Sequence, residues 1–191
     1  MQNIEIEIQV QIEKIKPLEK FLKSNAKFIG RFRQIDEYFT PVHRDFLDKR
    51  PTNEWLRLRN ANSKYYINYK NWHHGKDGKS HHADEFETGI ADIKQLRNIF
   101  KVLDFHPIIT VDKTRAIYRY KNYEIAIDKV KNLGTFVEIE YKGRAERNDA
   151  KKIVSEMGEF LKSLNLGKIT KNYNGYPFIM LFPKEVRYEE L

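Results

Sequence analysis

Side chains of like charge recur at spacings of two or four residues in several stretches of this 191-residue chain. The acidic members are Glu5, Glu7, Glu85, Glu87, Glu124, Asp128, Glu138 and Glu140. The basic members are Arg57, Arg59, Lys70, Lys113 and Arg115. Residues at even spacing in an extended strand point to the same face. Each stretch is therefore predicted to be a strand whose polar face carries charge of one sign.

The two kinds of charged strand suit two parts of one ligand. Carboxylate oxygens bind hard cations such as Mg²⁺ or Mn²⁺. Arginine and lysine bind phosphate oxygens, and arginine can do so with a fork of two hydrogen bonds. If the strands close into a barrel with these faces inward, the interior is too highly charged to pack without water and ions. The pattern therefore predicts a metal-dependent site for a polyphosphate.

A simpler interpretation is that these charges form the solvent-exposed faces of amphipathic strands. Like charges two residues apart in a strand lie about 7 Å apart. Their repulsion is about 2.4 kcal/mol at an effective dielectric constant near 20, and it is weaker in open water. One such pair on a surface is therefore ordinary, and only the recurrence of the pattern in several strands favours the internal site.

Hydrophobic alternation predicts eight strands and three helices. The predicted strands cover residues 4–12, 36–40, 54–59, 64–72, 84–90, 108–119, 123–130 and 135–142. The helices are expected to run from Pro17 to about Asn25, to follow an N-cap at Asp92, and to extend from an N-cap at Asn148 towards Gly167. These elements predict an α+β fold, with an eight-stranded antiparallel barrel and about three external helices, as a single domain over residues 1–191.

The composition limits the class of protein. The net charge of +8 is compatible with a polyanionic partner such as nucleic acid, a membrane surface or a phosphorylated small molecule. Because cysteine is absent, disulfides and thiolate metal sites are excluded. No apolar run is long enough to span a membrane and no signal peptide is visible, so a cytoplasmic protein is expected.

The order of the charged motifs resembles that of the CYTH family, also called triphosphate tunnel metalloenzymes. EIEIQ at residues 5–9 is similar to the ExExK signature of that family. The likeness continues through DEYF, LRLR, YK, EFET, KTR, EIAID and LGTFVEIE, and it extends from residue 4 to about residue 176. Size and spacing look most like the bacterial class IV adenylyl cyclases. The resemblance implies a tunnel that holds a triphosphate among basic side chains.

The resemblance also implies roles for individual residues. The implied catalytic residues are Glu5, Glu7 and Asp128. The implied ligands of two Mg²⁺ or Mn²⁺ ions are Glu5, Glu7, Glu85, Glu87, Glu138 and Glu140. The implied triphosphate-binding residues are Arg57, Arg59, Lys70, Lys113, Arg115, Lys171 and Gln9.

Two positions depart from the family pattern. Gln9 stands where the signature has a lysine, and Ala83 stands where many relatives carry an arginine. Each replacement removes a cation from the expected tunnel. Gln9 can still donate a hydrogen bond to a phosphate oxygen, but without net charge it is expected to bind a triphosphate less strongly.

Several functions agree with this reading. The leading hypothesis is an adenylyl cyclase that converts ATP to cyclic AMP and pyrophosphate, and the alternative is a triphosphatase acting on an inorganic, thiamine or nucleoside triphosphate. A non-catalytic module that binds a polyphosphate or nucleotide is a further alternative, and a basic RNA-binding domain is a third. The expected partner is a triphosphate-containing small molecule, with no nucleic acid and no membrane, and the protein is expected to be a monomer or a homodimer.

Four histidines cluster in one polar stretch, residues 71–85, which is predicted to be a loop. His73, His74, His81 and His82 could indicate a zinc site. Because both pairs are adjacent in sequence, their side chains tend to diverge. A polar loop at the mouth of the tunnel is therefore the preferred interpretation.

Overall fold

The computed structural model describes residues 4–75 and 80–191, which form both strands and helices. The strands are β1 (Ile4–Glu5), β2 (Glu7–Ile12), β3 (Lys27–Pro41), β4 (Glu54–Ala61), β5 (Lys64–His74), β6 (Ser80–Ile90), β7 (Phe105–Tyr120), β8 (Tyr123–Val130), β9 (Gly134–Tyr141), β10 (Ile169–Asn172) and β11 (Tyr188–Glu190). The α-helices are α1 (Ile15–Asn25), α2 (Ile93–Val102), α3 (Ala150–Lys162) and α4 (Tyr176–Leu181). Within these ranges, no helix has the length and apolar character needed to cross a membrane.

All strands belong to one antiparallel sheet, in the order β1-β6-β5-β4-β3-β7-β8-β9-β2-β10-β11. Only Ile6 separates β1 from β2. The N-terminal segment therefore pairs with β6 through β1 and with β9 through β2. It thus lies between these two strands of the curled sheet. The ladder is interrupted at this segment, and the barrel is only approximate. The predicted α+β fold with an antiparallel sheet is confirmed in this form.

The outer face of the sheet carries the apolar core. Ile8 and Val10 of β2 pack against α1 through Leu18 and Leu22, and Met157 of α3 belongs to the same cluster. Burial of each such side chain contributes about 1.5–3 kcal/mol. Because successive strand residues point to opposite faces, this packing turns the charged positions of β2 towards the interior of the curled sheet.

A second apolar cluster bounds one side of the interior. Tyr176, Phe178 and Ile179 of α4 lie in one cluster with Tyr38 and Trp55. α4 has only six residues and was not predicted as a helix, because a run this short has no readable helical period. The described part of the chain thus has four α-helices where about three were expected.

The predicted starts of β3 and α3 were wrong. β3 begins at Lys27, nine residues before the predicted strand, because register shifts near Phe28 and Gly30 interrupt its alternation. α3 begins at Ala150 with Asp149 as its N-cap residue, so Asn148 is not the cap. The short strands β10 and β11 were not predicted either.

The predicted polar loop at residues 71–85 was also largely wrong. β5 continues to His74 and β6 starts at Ser80, with Trp72 opposite Ala83 and His74 opposite Ser80. Cross-strand pairing therefore extends the hairpin through a stretch that its glycines and histidines had marked as irregular. Residues 76–79 lie outside the described residues.

The N-cap of α2 provides a test of local stability. Asp92 accepts hydrogen bonds from the backbone N–H groups of Lys94 and Gln95, at 2.9 and 3.0 Å. Asp92→Ala should lower the free energy of unfolding by about 1 kcal/mol, because two N–H groups lose their acceptor. Asn148→Ala, which removes a side chain that does not cap a helix, should leave urea unfolding nearly unchanged. Equal losses in the two variants would contradict the assignment.

Candidate functional site

The inward faces of the strands enclose a cavity of about 220 Å³ whose lining is mainly charged. Among the described residues, the acids that line it are Glu5, Glu7, Glu85, Glu87, Glu124, Glu138 and Glu140. The bases that line it are Arg57, Arg59, Lys70, Lys113, Arg115 and Lys142. Gln9 also lies on its wall. Of the site residues predicted from the sequence, the structure thus gathers all except Asp128 and Lys171 around one cavity.

Strand register explains how residues distant in sequence meet here. Glu7 lies opposite Glu140, and Gln9 lies opposite Glu138, where β2 pairs with β9. Lys70 of β5 lies opposite Glu85 of β6. Directly opposed residues of antiparallel strands have Cβ atoms about 4.5–5.5 Å apart. These acidic, basic and amide side chains therefore meet a charged or polar neighbour on the next strand.

Asp36 anchors the first pair of bases. Its carboxylate is buried and accepts hydrogen bonds from Nε and Nη2 of Arg59 at 2.7 and 2.8 Å. Nη1 of Arg57 lies 3.8 Å from the same group. Burial alone would raise the pKa of Asp36, but the guanidinium groups of Arg59 and Arg57 hold it well below its ordinary value. Asp36 is the first residue of the DEYF motif, at a strand position that faces the interior. The sequence analysis did not include it among the predicted site residues.

Asp128 anchors the second pair. It is fully buried and lies 3.0 Å from Nζ of Lys113, and it accepts hydrogen bonds from Nε of Arg115 at 2.7 Å and from the Tyr176 hydroxyl at 2.8 Å. Burial raises the pKa of Asp128, but Arg115 and Lys113 outweigh this effect and lower it. Asp128 therefore lies behind the bases and off the cavity wall, where it neutralises and orients them.

The opposite end of the cavity is short of positive charge. Burial raises the pKa of Glu5 well above its ordinary value, and the neighbouring carboxylate of Glu7 adds to this effect. Lys70 opposes it, with Nζ 2.5 Å from Oε2 of Glu5 and 3.7 Å from Oε1 of Glu7. Glu140 also has a raised pKa, caused first by burial, although Lys142 contacts it.

Other acids in the cavity are already compensated. Burial would raise the pKa of Glu138, but Arg115 and Lys113 lower it well below its ordinary value. The pKa of Glu85 falls to about 2, because Lys70 and Arg57 outweigh the opposing effect of burial. The cavity acids thus divide into those whose pKa the neighbouring bases lower and those, such as Glu5 and Glu140, whose pKa burial raises despite a basic neighbour.

The chemistry of this second group fits a divalent cation. Glu5, Glu7 and Glu140 offer the hard oxygen ligands that Mg²⁺ and Mn²⁺ prefer. Burial raises the pKa values of Glu5 and Glu140 although Lys70 and Lys142 contact them, so the neighbouring positive charge does not offset the cost of burying these carboxylates. In the described ranges, no three acidic or imidazole side chains already converge as a metal site, so these carboxylates would have to turn towards an ion.

The chain was compared with known proteins. The sequence model of the CYTH domain matches residues 1–176. The chain belongs to the CYTH family. A Methanocaldococcus jannaschii protein, named provisionally as an adenylate cyclase, is 38% identical to it over 174 residues, which cover 89% of this chain and 96% of the relative. Enzymes of the CYTH family are of adenylyl cyclase or triphosphatase type, and they generally depend on a metal.

Solved structures share the fold of this chain. A Pyrococcus horikoshii protein matches this chain with a TM-score of 0.78 and 25% sequence identity. The match covers 94% of this chain and 99% of the Pyrococcus horikoshii chain. A provisionally named adenylyl cyclase from Hippeastrum, described as having a dominant triphosphatase activity, has a TM-score of 0.64 and 19% identity, with 94% and 95% coverage. At that identity the Hippeastrum protein shows the fold alone.

Some residues of the CYTH site differ from expectation. Lys171 is buried beside a smaller adjoining cavity of about 30 Å³, which Gln9 also lines. Asn68, which was not predicted, donates hydrogen bonds to Glu85 at 2.5 Å and to Glu87 at 3.2 Å. Lys142 was missed although it follows Glu140 at the same two-residue spacing. The inward strand period is the signal that could have identified Asn68 and Lys142.

The histidine cluster forms side-chain contacts beside the cavity of the CYTH site. Nε2 of His73 lies 2.6 Å from Oδ2 of Asp84, and the His73 ring stacks on His82 with centroids 4.9 Å apart. Burial, and then His73, lower the pKa of His74. The side chain of His81 lies outside the described part. A zinc site of three or more ligands is absent from the described side chains.

The buried contact of Asp36 predicts a pH-dependent loss of stability. Asp36→Asn should lower the free energy of unfolding at pH 7 by about 3 kcal/mol, because Arg59 loses its buried counterion. Since the folded-state pKa of Asp36 lies below its ordinary value of 3.8, the stabilisation is complete above that value and is lost as pH falls through the folded-state pKa. The difference between wild type and variant in urea unfolding should therefore shrink at acid pH.

The matched control is Asp112→Asn, which breaks an ion pair with Arg33 on the outer surface. Exposed pairs contribute little because water and salt screen them. This variant should change stability only slightly. An Asp36→Asn variant as stable as Asp112→Asn would show that Asp36 does not hold Arg59 in place.

Proposed function

We propose that this CYTH protein is a metal-dependent enzyme that breaks a phosphoanhydride bond in a triphosphate-containing small molecule. The observation that carries the proposal is the division of its cavity into two electrostatic parts. Arg57, Arg59 and Arg115 form a basic wall. In the other part, burial raises the pKa values of Glu5 and Glu140 although each contacts a lysine. A triphosphate with bound divalent cations complements both parts.

Charge balance supports the need for a cation. Within the described lining, seven carboxylates face six basic side chains. A triphosphate would add several negative charges, so these bases alone do not neutralise it. A bound Mg²⁺ or Mn²⁺ would supply the missing charge, and it would activate the attacking hydroxyl or water.

The basic wall is built to hold phosphate oxygens in fixed positions. Asp36 and Asp128 hold the guanidinium groups of Arg59 and Arg115 from behind, so these groups need little rearrangement when a ligand arrives. Arg57, whose buried Nε has no hydrogen-bond partner among the described residues, lies on the same cavity wall. Such preorganised charge stabilises the transition state of phosphoryl transfer.

The specific reaction that we favour is that of an adenylyl cyclase. Its support is the 38% identity to the Methanocaldococcus jannaschii protein, whose provisional name is adenylate cyclase. In this reaction the ribose 3′-oxygen of ATP forms a bond to the α-phosphorus, and the bond to the leaving pyrophosphate breaks. The hydroxyl proton passes to solvent. The arginines would hold the phosphate chain in line for this attack.

The size and lining of the cavity favour hydrolysis as the second candidate. A volume of about 220 Å³ is below the roughly 300–1,000 Å³ of pockets that enclose drug-sized ligands, and its lining is charged instead of mainly apolar. A phosphate chain fits such a space more readily than a whole nucleotide. In this reaction the oxygen of water forms a bond to the γ-phosphorus, and the bond between the γ-phosphorus and the oxygen bridging to the β-phosphate breaks. The diphosphate portion is the leaving group, orthophosphate is the other product, and the proton of water passes to solvent.

Product analysis separates these reactions. The purified protein is incubated with Mn²⁺ or Mg²⁺ and, separately, with ATP, tripolyphosphate or thiamine triphosphate, and the products are resolved by chromatography. Cyclic AMP with pyrophosphate is expected for the cyclase, and orthophosphate is expected for the triphosphatase. Metal-dependent binding without turnover would instead show a binding module.

Substitution of Glu140 tests the metal requirement. Glu140→Gln should weaken Mn²⁺ binding at least tenfold, because a charged oxygen ligand is lost. It should lower kcat/KM on the active substrate about a hundredfold, since the ion stabilises the charge of the transition state. Binding of tripolyphosphate in EDTA should not weaken, because the change removes a negative charge.

The matched control is Glu159→Gln, the same substitution on the exposed surface of α3. It should leave metal binding and activity unchanged. Unaltered Mn²⁺ affinity in Glu140→Gln would remove Glu140 from the proposed ligands.

A further inference from the structure

Gln9 uses both polar atoms of its amide for contacts inside the protein. Its Nε2 donates a hydrogen bond to Oε1 of Glu138 at 3.0 Å. Its Oε1 accepts a hydrogen bond from Nδ2 of Asn172 at 3.1 Å. Only 9% of Gln9 and 3% of Asn172 are exposed. The residue that replaces the signature lysine is thus part of a buried hydrogen-bonded chain.

Strand pairing determines which side chains belong to this hydrogen-bonded chain. Gln9 lies opposite Glu138 where β2 pairs with β9, and opposite Asn172 where β2 pairs with β10. The three side chains therefore occupy neighbouring positions on three consecutive strands. β10 lies beyond the strands that enclose the cavity, so it supports the cavity wall from outside.

The donor-to-acceptor direction of this hydrogen-bonded chain is determined at Asn172. Its Oδ1 accepts the backbone N–H of Asn174 at 3.2 Å, so its amino group points towards Gln9. Gln9 must then present its oxygen to Asn172 and its amino group to Glu138. The other oxygen of Glu138, Oε2, contacts Arg115. One oxygen of the Glu138 carboxylate thereby contacts Gln9, and the other contacts Arg115 on the cavity wall.

We propose that Gln9 is a positioning residue for Glu138, supported by Asn172, and that it does not replace a lysine as a triphosphate ligand. The role rests on the proposed function, because Glu138 is expected to bind metal during triphosphate chemistry. A lysine here would hold Glu138 through an ion pair and cancel its charge. The neutral amide of Gln9 holds the carboxylate without adding a second positive charge to that of Arg115.

Binding measurements on matched variants test this role. Gln9→Met removes the amide at similar length, and Asn172→Asp removes the donor that orients Gln9. Mn²⁺ affinity is measured by electron paramagnetic resonance without triphosphate, and tripolyphosphate affinity is measured by calorimetry in EDTA. Both variants should weaken Mn²⁺ binding about fivefold to tenfold, and tripolyphosphate affinity should stay within twofold of wild type.

Gln11→Met is the control, since it makes the same change two residues further along β2. It should alter neither affinity. A fall in tripolyphosphate affinity with unchanged Mn²⁺ affinity in Gln9→Met would overturn the proposal and make Gln9 a triphosphate ligand. Unchanged Mn²⁺ affinity in both Gln9→Met and Asn172→Asp would also overturn it.

A double-mutant cycle separates positioning from a general loss of structure. In a Glu138→Gln background, adding Gln9→Met should cause no further loss of Mn²⁺ affinity, because Gln9 acts through Glu138. An equal loss in both backgrounds would reject the role. If the wild type binds no Mn²⁺, the proposed function fails instead. Urea unfolding of the same four metal-free proteins then tests the Gln9–Glu138 contact alone, and zero coupling rejects it.

Discussion

The buried ion pairs of Asp36 and Asp128 are the interactions on which the cavity depends. Arginines in a closed interior would lose hydration without compensation unless carboxylates met them at hydrogen-bond distance. Asp36 meets Arg59 and Asp128 meets Arg115, each with two N–H groups directed at one carboxylate. These contacts hold the guanidinium groups at the wall before any ligand is present. The acids behind the bases are therefore as much part of the site as the bases themselves.

The N-terminal segment joins the closure of the fold to the chemistry of the site. Its apolar residues pack under α1 and α3, while Glu5 and Glu7 face the cavity on the other side. The same segment pairs with β6 and β9, and so brings their acids beside its own. The acids gathered at this end are the oxygen ligands that the proposed function assigns to a metal ion. The net charge of +8 does not come from the described cavity lining, where acids outnumber bases.

The strand period in the sequence was sufficient to identify most of the cavity lining. Residues such as Arg57, Lys113 and Glu140 alternate with apolar neighbours, and only one face of such a strand can pack against helices. The strand period did not predict the elements whose apolar alternation is irregular or absent. The register shifts of β3 hid its first half, and cross-strand pairing turned most of the predicted histidine loop into strand. α4 was missed because six apolar residues show no period.

The sequence by itself determined the fold class, the sign of the charge on each strand and the membership of the CYTH family, because these properties follow from local alternation and motif order. The tertiary structure alone decided which charges meet. Asp128 was expected at the reaction centre and lies behind the bases, and Gln9 was expected on phosphate and contacts Glu138. Partners of this kind depend on the register between strands far apart in the chain, which no local pattern encodes.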